Sequence, residues 1–340
     1  VTARLGVAVV GTGRLGSIHA RVLSQMPNVE LVGVVDSDLS AARRVAAERG
    51  CRAFADANAL PESVKAVVVA VPTTLHADVA CPLLERGIAC LVEKPLAANA
   101  AEGERLVAAA ARSGAILMVG HVERFNPVIT AVRELGLRPR FLDATRVSPF
   151  PFRSMDIGVV LDVMIHDLDI VLHLVGADVV SVDAVGVNIT GDHEDLASVR
   201  LVFANGAVAN LTASRLALKT ERKLRLFAPD FYASLDLAAK KGRIVRPSPD
   251  IRSRIREFSP IGVDAIDAMR LSKAVTEDAV VVRDVEPLRA EDEEFVAAVS
   301  LGRSPLVTGA HGLAAMEVAS RVVASIQERL AAARRPESSA

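Results

Sequence analysis

Up to residue 120 the chain alternates short, unbroken apolar runs with longer amphipathic stretches. The runs are LGVAVVG (5–11), VELVGVV (29–35), AVVVAV (66–71), IACLV (88–92) and AILMVG (115–120). Between them, apolar residues recur at helical spacing over Arg14–Gln25, Leu39–Arg49, Leu75–Arg86 and Ala98–Arg112. A strand buried on both faces reads as a continuous apolar run, and strands separated by helices align in parallel. The pattern predicts an α/β fold that begins with a doubly wound parallel-sheet domain over residues 1–122.

Beyond residue 145 the grammar changes. One helical stretch, Val159–Val175, precedes runs in which apolar and polar residues alternate: VVSVDAVGVNI, LASVRLVFANGAVANLTAS, RKLRLFAP, FYASLDLA and RIVRP. Alternation marks strands with one wet face. Asn205-Gly206, between two such runs, predicts a hairpin turn. Residues 123–332 are therefore expected to form an α+β domain around a large open, mainly antiparallel sheet, closed by helices near 290–301 and 309–332. The tail ARRPESSA (333–340) is expected to be disordered.

At 340 residues the chain can bury two cores. Hydrophobic residues make up 51% of it, yet no run approaches the roughly 18–20 apolar residues of a membrane span. The opening VTARLGVAVVGTG lacks the features of a secretory leader. A net charge of −1, with the two signs interspersed, predicts neither a nucleic-acid nor a membrane-surface partner. Cys51, Cys81 and Cys90 are odd in number, apolar in setting and without C-x-x-C spacing. They read as reduced core thiols of a cytoplasmic protein rather than zinc ligands or nucleophiles.

Gly11-Thr-Gly13-Arg-Leu-Gly16 follows the first apolar run and opens a helix, and Asp36 ends the second run 20 residues after Gly16. In that strand–turn–helix setting, the glycines permit a tight turn, close approach of a pyrophosphate and close helix packing. The pyrophosphate would sit at the free N–H groups of the helix start. A carboxylate at Asp36 would accept from the adenosine ribose and repel a 2′-phosphate, which favours NAD over NADP; Asp38 would reinforce that preference. Arg14 or Arg43 would weaken it by tolerating the phosphate.

The run ending at Val92 delivers Glu93-Lys94-Pro95. Ligands of doubly wound sheets bind at the carboxyl ends of strands, so Lys94 belongs where the nicotinamide lies, although an ordinary surface lysine would also fit a strand exit. Pro95 confines Glu93 and Lys94 to extended geometry. The ordered set VGTGRLGSIHA, VPTTLH, VEKPLA and GHVERFNP resembles the Gfo/Idh/MocA oxidoreductases over nearly the whole chain. That resemblance implies a Rossmann domain followed by a substrate domain with a large open sheet. It makes Lys94 the lysine that contacts the reacting sugar hydroxyl, and sets Val71, Pro72 and Thr73 along the cofactor's ribose side. Arg14, Leu15, His76 and Glu93, from the same motifs, complete the expected cofactor set.

In LDVMIHDLDIVLHLVG, Asp162 and His166 stand at i, i+4 and share a helix face. Family members carry D-x-x-x-H here. The resemblance makes His166 the relay for the hydroxyl proton and Asp162 a substrate holder; Met164 stands where many members have glycine. A helix-capping or core histidine is the structural alternative. Asp162, His166 and Asp169 also mimic a metal set, but a single histidine without a clear fourth ligand argues against one. His173 reads as core and His193 as solvated.

For substrate binding, His121, Arg124 and Asn126 of GHVERFNP and Arg153 of SPFPFRSMD are the candidates, the arginines suiting a diphosphate or carboxylate. Either arginine would equally serve a surface or interdomain ion pair. The combination VGHVERFNP, MIHDLDIVLHLVG and NLTASR is most similar to the branch that oxidises UDP-N-acetylglucosamine at C3, upstream of an aminotransferase. The alternatives are another sugar or polyol dehydrogenase, such as an inositol dehydrogenase, and a non-catalytic dinucleotide-binding regulator. An exposed sheet face further predicts a homo-dimer or homo-tetramer.

Overall fold

The structure, a computed structural model, describes residues 4–150, 157–257 and 273–333. The chain divides into two compact units, Val1–Phe125 with Val285–Val318, and Asn126–Asp284 with Ala319–Ala340. Arg153 and most of the tail expected to be disordered lie outside the described residues.

The first unit alternates β1 (Leu5–Val10), α1 (Arg14–Ser24), β2 (Val29–Val35), α2 (Leu39–Arg49), β3 (Arg52–Phe54) and β4 (Ala66–Val69). It continues with α3 (His76–Glu85), β5 (Ala89–Glu93), α4 (Ala100–Ser113) and β6 (Leu117–Gly120). All pairs are parallel, in the order β3-β2-β1-β4-β5-β6. The order reverses between β1 and β4, which makes the crevice at their carboxyl ends the natural ligand site. β4 and β5 are buried along their whole length, as their unbroken apolar runs require. β3 is absent from the predicted strands. It has three residues and opens on Arg52, which lies over the Phe54 ring, so hydrophobic periodicity has nothing to register.

The second unit holds α5 (Pro127–Glu134), β7 (Phe141–Val147), a π-helical turn (Val160–Met164) and α6 (Ile165–Val175). Then come β8 (Val179–Val187), β9 (Leu196–Phe203), β10 (Val208–Ser214), β11 (Glu221–Ala228), β12 (Phe231–Asp236), β13 (Lys241–Pro247), α7 (Ile251–Glu257) and β14 (Val275–Ala279). The sheet runs β14-β13-β12-β11-β7-β10-β9-β8 and is antiparallel except between β7 and β10. Gly206, at φ 81°, closes the β9–β10 hairpin that Asn205-Gly206 predicts.

β7 lies mid-sheet although FLDATRV is not among the predicted runs. The buried positions of this strand are Leu142, Ala144 and Arg146, so a charge occupies a core position and masks the alternation. Arg146 Nε and Nη2 donate to the two carboxylate oxygens of Asp167 on α6, at 2.9 and 2.8 Å. That buried fork fastens α6 to the sheet.

The chain then returns through α8 (Pro287–Leu301) and α9 (Gly309–Ala333). Residues 285–318 belong to the first unit, not to the second domain where the sequence pattern puts them. The Val119 N–H donates to the Val307 carbonyl at 3.0 Å and Met118 bridges to Thr308, so the returning segment occupies the outer edge of β6. An open strand edge takes a partner from any part of the chain, and local periodicity carries no trace of that choice.

Candidate active site

The glycine turn beyond β1 is shaped by contacts on two sides and left open on the third. Gly11 has φ +94°, and a Cβ there would lie 2.5 Å from the Ala70 carbonyl oxygen. A Cβ at Gly16 would overlap the Gly11 carbonyl, so only glycine lets α1 start this close to β1. At Gly13 a Cβ would meet nothing within 4 Å. Gly13, Arg14 and Leu15 are exposed there. No side chain caps α1, whereas Asp38 caps α2 and Asn99 caps α4. Uncapped N–H groups facing open space fit a pyrophosphate.

Asp36, just beyond β2, is braced by a residue the motif spacing overlooks. The N–H and hydroxyl of Thr12 each donate to Asp36 Oδ2 at 2.7 Å, and the Asp38 N–H donates to Oδ1 at 2.9 Å. Burial pushes this carboxyl up, but those donors outweigh it and hold Asp36 below the usual carboxylate range. The Asp38 carboxylate is occupied elsewhere. Its Oδ1 accepts from the Ser40 N–H and hydroxyl and from the Ala41 N–H, as the cap of α2.

At the carboxyl end of β4, Val71 and Thr73 are half-buried and Pro72 is exposed. His76 is buried behind them. Its Nδ1 faces the Pro95 carbonyl at 3.0 Å and its Nε2 the Val71 carbonyl at 3.0 Å. The ring therefore ties the segment after β4 to the segment after β5, and can influence a cofactor through those backbones. Burial holds its pKa below the ordinary histidine value, against the pull of the carbonyls.

Glu93 is the last residue of β5 and is buried, while Lys94 is half-buried and joins Pro95 by a cis peptide. Glu93 Oε2 accepts from the Lys94 N–H at 3.2 Å, and Oε1 lies 2.8 Å from Nε2 of His19 on α1. Nδ1 of His19 lies 2.7 Å from Oδ1 of Asp292 on α8. Burial alone would lower the His19 pKa, but the two carboxylates raise it well above the ordinary value. Among the described residues, His19, Glu93 and Glu291 are the set whose donor atoms converge closely enough for a metal ion. Both ring nitrogens of His19 already face carboxylate oxygens of the protein. Asp162, His166 and Asp169 are not such a set.

His121 directly follows β6 and Arg124 stands on the short 3-10 turn Val122–Phe125 behind it, and both are buried. The Asn126 amide is used within the second unit: its Oδ1 accepts from the Val128 N–H as the cap of α5, and its Nδ2 donates to the Leu237 carbonyl. Pro127 is thus the first residue of a helix, where its missing N–H is harmless.

In the second unit Asp162 stands on the π-helical turn and His166 on the first turn of α6, both half-buried. The shared α-helical face expected for them is widened, since the Ile165 N–H reaches back to the Val160 carbonyl. The loop around His193, itself exposed, anchors this turn. The Glu194 carboxylate accepts from the Val160 N–H at 3.1 Å, and a Cβ at Gly158 would overlap it. Arg215 donates to Asp195 at 2.7 Å and to the Ile157 carbonyl at 3.0 Å, deep in the unit. His173 is half-buried rather than core.

Residues 5–121 match the oxidoreductase family with an NAD-binding Rossmann fold, and residues 139–243 match the Gfo/Idh/MocA C-terminal domain. The chain belongs to the Gfo/Idh/MocA oxidoreductase family. It is 35% identical over 320 residues to UDP-N-acetylglucosamine 3-dehydrogenase of Acidithiobacillus ferrooxidans, covering 94% of this chain and 96% of that protein. A solved structure of that enzyme superposes with a TM-score of 0.87 at 34% identity, over 98% of this chain and 100% of the other. Identity to inositol 2-dehydrogenase of Rhizobium meliloti is 27% over 346 residues, 97% and 98% of the two chains.

As a Gfo/Idh/MocA oxidoreductase, the chain pairs a dinucleotide-binding unit with a unit built on a large mixed sheet. Among the described residues, no helix is long and apolar enough to cross a membrane. Thr12, His19, Asp292 and Glu194 escape motif reading. His19 stands inside VGTGRLGSIHA, and that motif is its one signal in the sequence; Asp292 lies 273 residues away.

Proposed function

We propose that this chain oxidises a secondary alcohol of a sugar with NAD, and that the alcohol is the C3 hydroxyl of UDP-N-acetylglucosamine. The observation that carries the substrate is the 35% identity, across nearly the full length of both chains, to a UDP-N-acetylglucosamine 3-dehydrogenase. NAD rather than NADP is supported by Asp36, whose braced carboxylate accepts a ribose hydroxyl and repels a phosphate. Bound NAD supplies the acceptor for the hydride leaving the alcohol carbon.

Gly11, Gly13 and Gly16, with the N–H groups of Arg14 and Leu15, hold the pyrophosphate, and Val71, Pro72 and Thr73 flank a ribose. His166 takes the hydroxyl proton while Lys94 donates a hydrogen bond to the alcohol oxygen and stabilises its developing negative charge. Asp162 holds the sugar. His121 and Arg124 contribute to substrate binding, the guanidinium suiting a diphosphate. The alcohol thus loses a proton to the protein and a hydride to the cofactor, and becomes a ketone.

The 3-keto product suits an aminotransferase acting next, in the cytoplasm. A homo-oligomer fits the aromatic cluster on the sheet face opposite α6, where the tilted rings of Phe141, Phe227 and Tyr232 lie with centroids 5.6 and 4.9 Å apart. Light scattering on the purified chain tests that assignment, and a monomer at micromolar concentration would reject it.

The deciding experiment incubates the protein with NAD and either UDP-N-acetylglucosamine or myo-inositol, following NADH and the mass of the sugar. A coupled aminotransferase draws off the ketone. NADH with a nucleotide sugar lighter by two hydrogens supports the proposal. NADH with inositol alone rejects the UDP-sugar and keeps the chemistry. NAD binding without turnover on any sugar favours the regulatory alternative.

A further inference from the structure

Beneath the exit of β5 lies a buried chain of charges that the proposed chemistry does not use. His19 is fully buried, with Nε2 2.8 Å from Glu93 and Nδ1 2.7 Å from Asp292. Three distant elements meet there: the helix that follows the glycine turn, the strand that ends in Glu93 just before Lys94, and α8. A neutral imidazole has one N–H and would turn a lone pair toward one of the two carboxylates. With both protons it donates to each, as the raised pKa agrees.

Glu93 has little freedom left. Its Oε1 faces His19, its Oε2 accepts from the Lys94 N–H, and the side chain lies so close over β6 that a Cβ at Gly120 would come 3.0 Å from it. The orientation of this carboxylate therefore sets the backbone at Lys94, and the imidazolium sets the carboxylate.

We propose that His19 is a positioning residue for Lys94, a buried cation that locks Glu93 and so fixes the strand exit from which the lysine reaches the alcohol. The proposal rests on the reading that Lys94 serves the reacting hydroxyl. Its charge arithmetic is specific. In the native chain the imidazolium is the cation facing the Glu93 and Asp292 carboxylates, with the buried Glu291 carboxylate close to both His19 and Glu93. H19Q removes that positive charge and leaves a carbonyl facing one carboxylate. In H19Q/E93Q the net charge of the group returns to its native value, and the amides can relay an unbroken line of hydrogen bonds from the Lys94 N–H to Asp292.

The test compares K94A, H19Q and H19Q/E93Q by steady-state kinetics and NADH fluorescence titration. K94A should lose turnover and still bind NADH. H19Q should lose kcat on the order of 10- to 100-fold, as expected of a displacement of about 1 Å at a reacting group, with the KM for NAD nearly unchanged. H19Q/E93Q should recover part of that kcat, which a merely structural role would not predict. A folded H19Q with native kcat, or a double variant no faster than H19Q, would overturn the proposal. Turnover by K94A would instead overturn the reading of Lys94 beneath it. Should H19Q not fold, the ring N–H signals of the wild-type protein labelled with nitrogen-15 histidine decide the matter. Two exchange-protected protons on one buried ring at neutral pH support the imidazolium, and a singly protonated ring refutes it.

Discussion

Asp36→Asn tests how the crevice chooses its dinucleotide. The Asp36 carboxylate accepts two bonds of 2.7 Å from Thr12 and one of 2.9 Å from Asp38. A carboxylate offers about four acceptor sites, so about one remains for a ribose hydroxyl. A 2′-phosphate in its place would bring about 1.5–2 negative charges against an ionised Asp36. At about 4 Å each charge pair costs about 1 kcal/mol in water and about 4 kcal/mol near a protein surface. Asp36 is half-exposed, so the lower part of that range applies: about 1.5–3 kcal/mol, or roughly 10- to 150-fold against NADPH. Removing the charge should shrink the NADH-over-NADPH preference by about that factor.

NADH affinity itself should fall roughly fivefold, since a charge-assisted hydrogen bond becomes a neutral one worth about 1 kcal/mol less. The asparagine also turns an N–H toward the Thr12 or the Asp38 N–H, donors from which Asp36 now accepts, so Thr12→Val serves as the control for lost bracing without lost charge. Fluorescence titration with both reduced cofactors at low and high salt reads these numbers, and the wild-type preference should narrow as salt rises. A wild-type protein that binds NADH and NADPH equally, or an Asp36→Asn ratio within about twofold of wild type, refutes the reasoning.

Gly158→Ala drives a methyl into the Glu194 carboxylate and should cost about 1–3 kcal/mol in urea unfolding, with part recovered when Glu194→Ala is added. Asp167→Asn leaves the buried Arg146 short of its partner and should cost about 3–5 kcal/mol; Arg146→Met with Asp167→Leu should cost less in the same assay. Burial raises the Asp195 carboxyl, but the Thr190 and Ile189 N–H groups and Arg215 together depress it. Its contribution is therefore present above the unfolded value of about 3.9 and is lost as pH falls through the lower folded one. Asp195→Asn should flatten the acid limb of the melting temperature against pH. His19 carries the opposite sign: its contribution is full below about 6.5 and lost as pH rises through the raised folded value, so H19Q should flatten the alkaline limb.

Much of the first unit is legible because its signals are local. A continuous apolar run must be buried on both faces, and a glycine turn entering a helix is written in adjacent residues, so β1, α1 and the strand delivering Lys94 follow from the chain itself. Asn205-Gly206 specifies its own hairpin for the same reason. Asp162 and His166 are visible as a pair, but not the π-helical turn beneath one of them, which depends on the Glu194 carboxylate arriving from another loop.

What the tertiary structure alone decided concerns charges inside the protein. Arg146 hides β7 because its charge is cancelled by Asp167 on a different element. Asp38 reads as a ribose partner until the helix it caps is in place. Against burial, the His19 pKa is raised by Asp292, which reaches it from α8, and by Glu93, and residues 285–318 join the first unit through the edge of β6. Sequence pattern measures how often apolar residues recur. It does not say which distant carboxylate will meet a buried cation, because that pairing is set by where the chain returns in space.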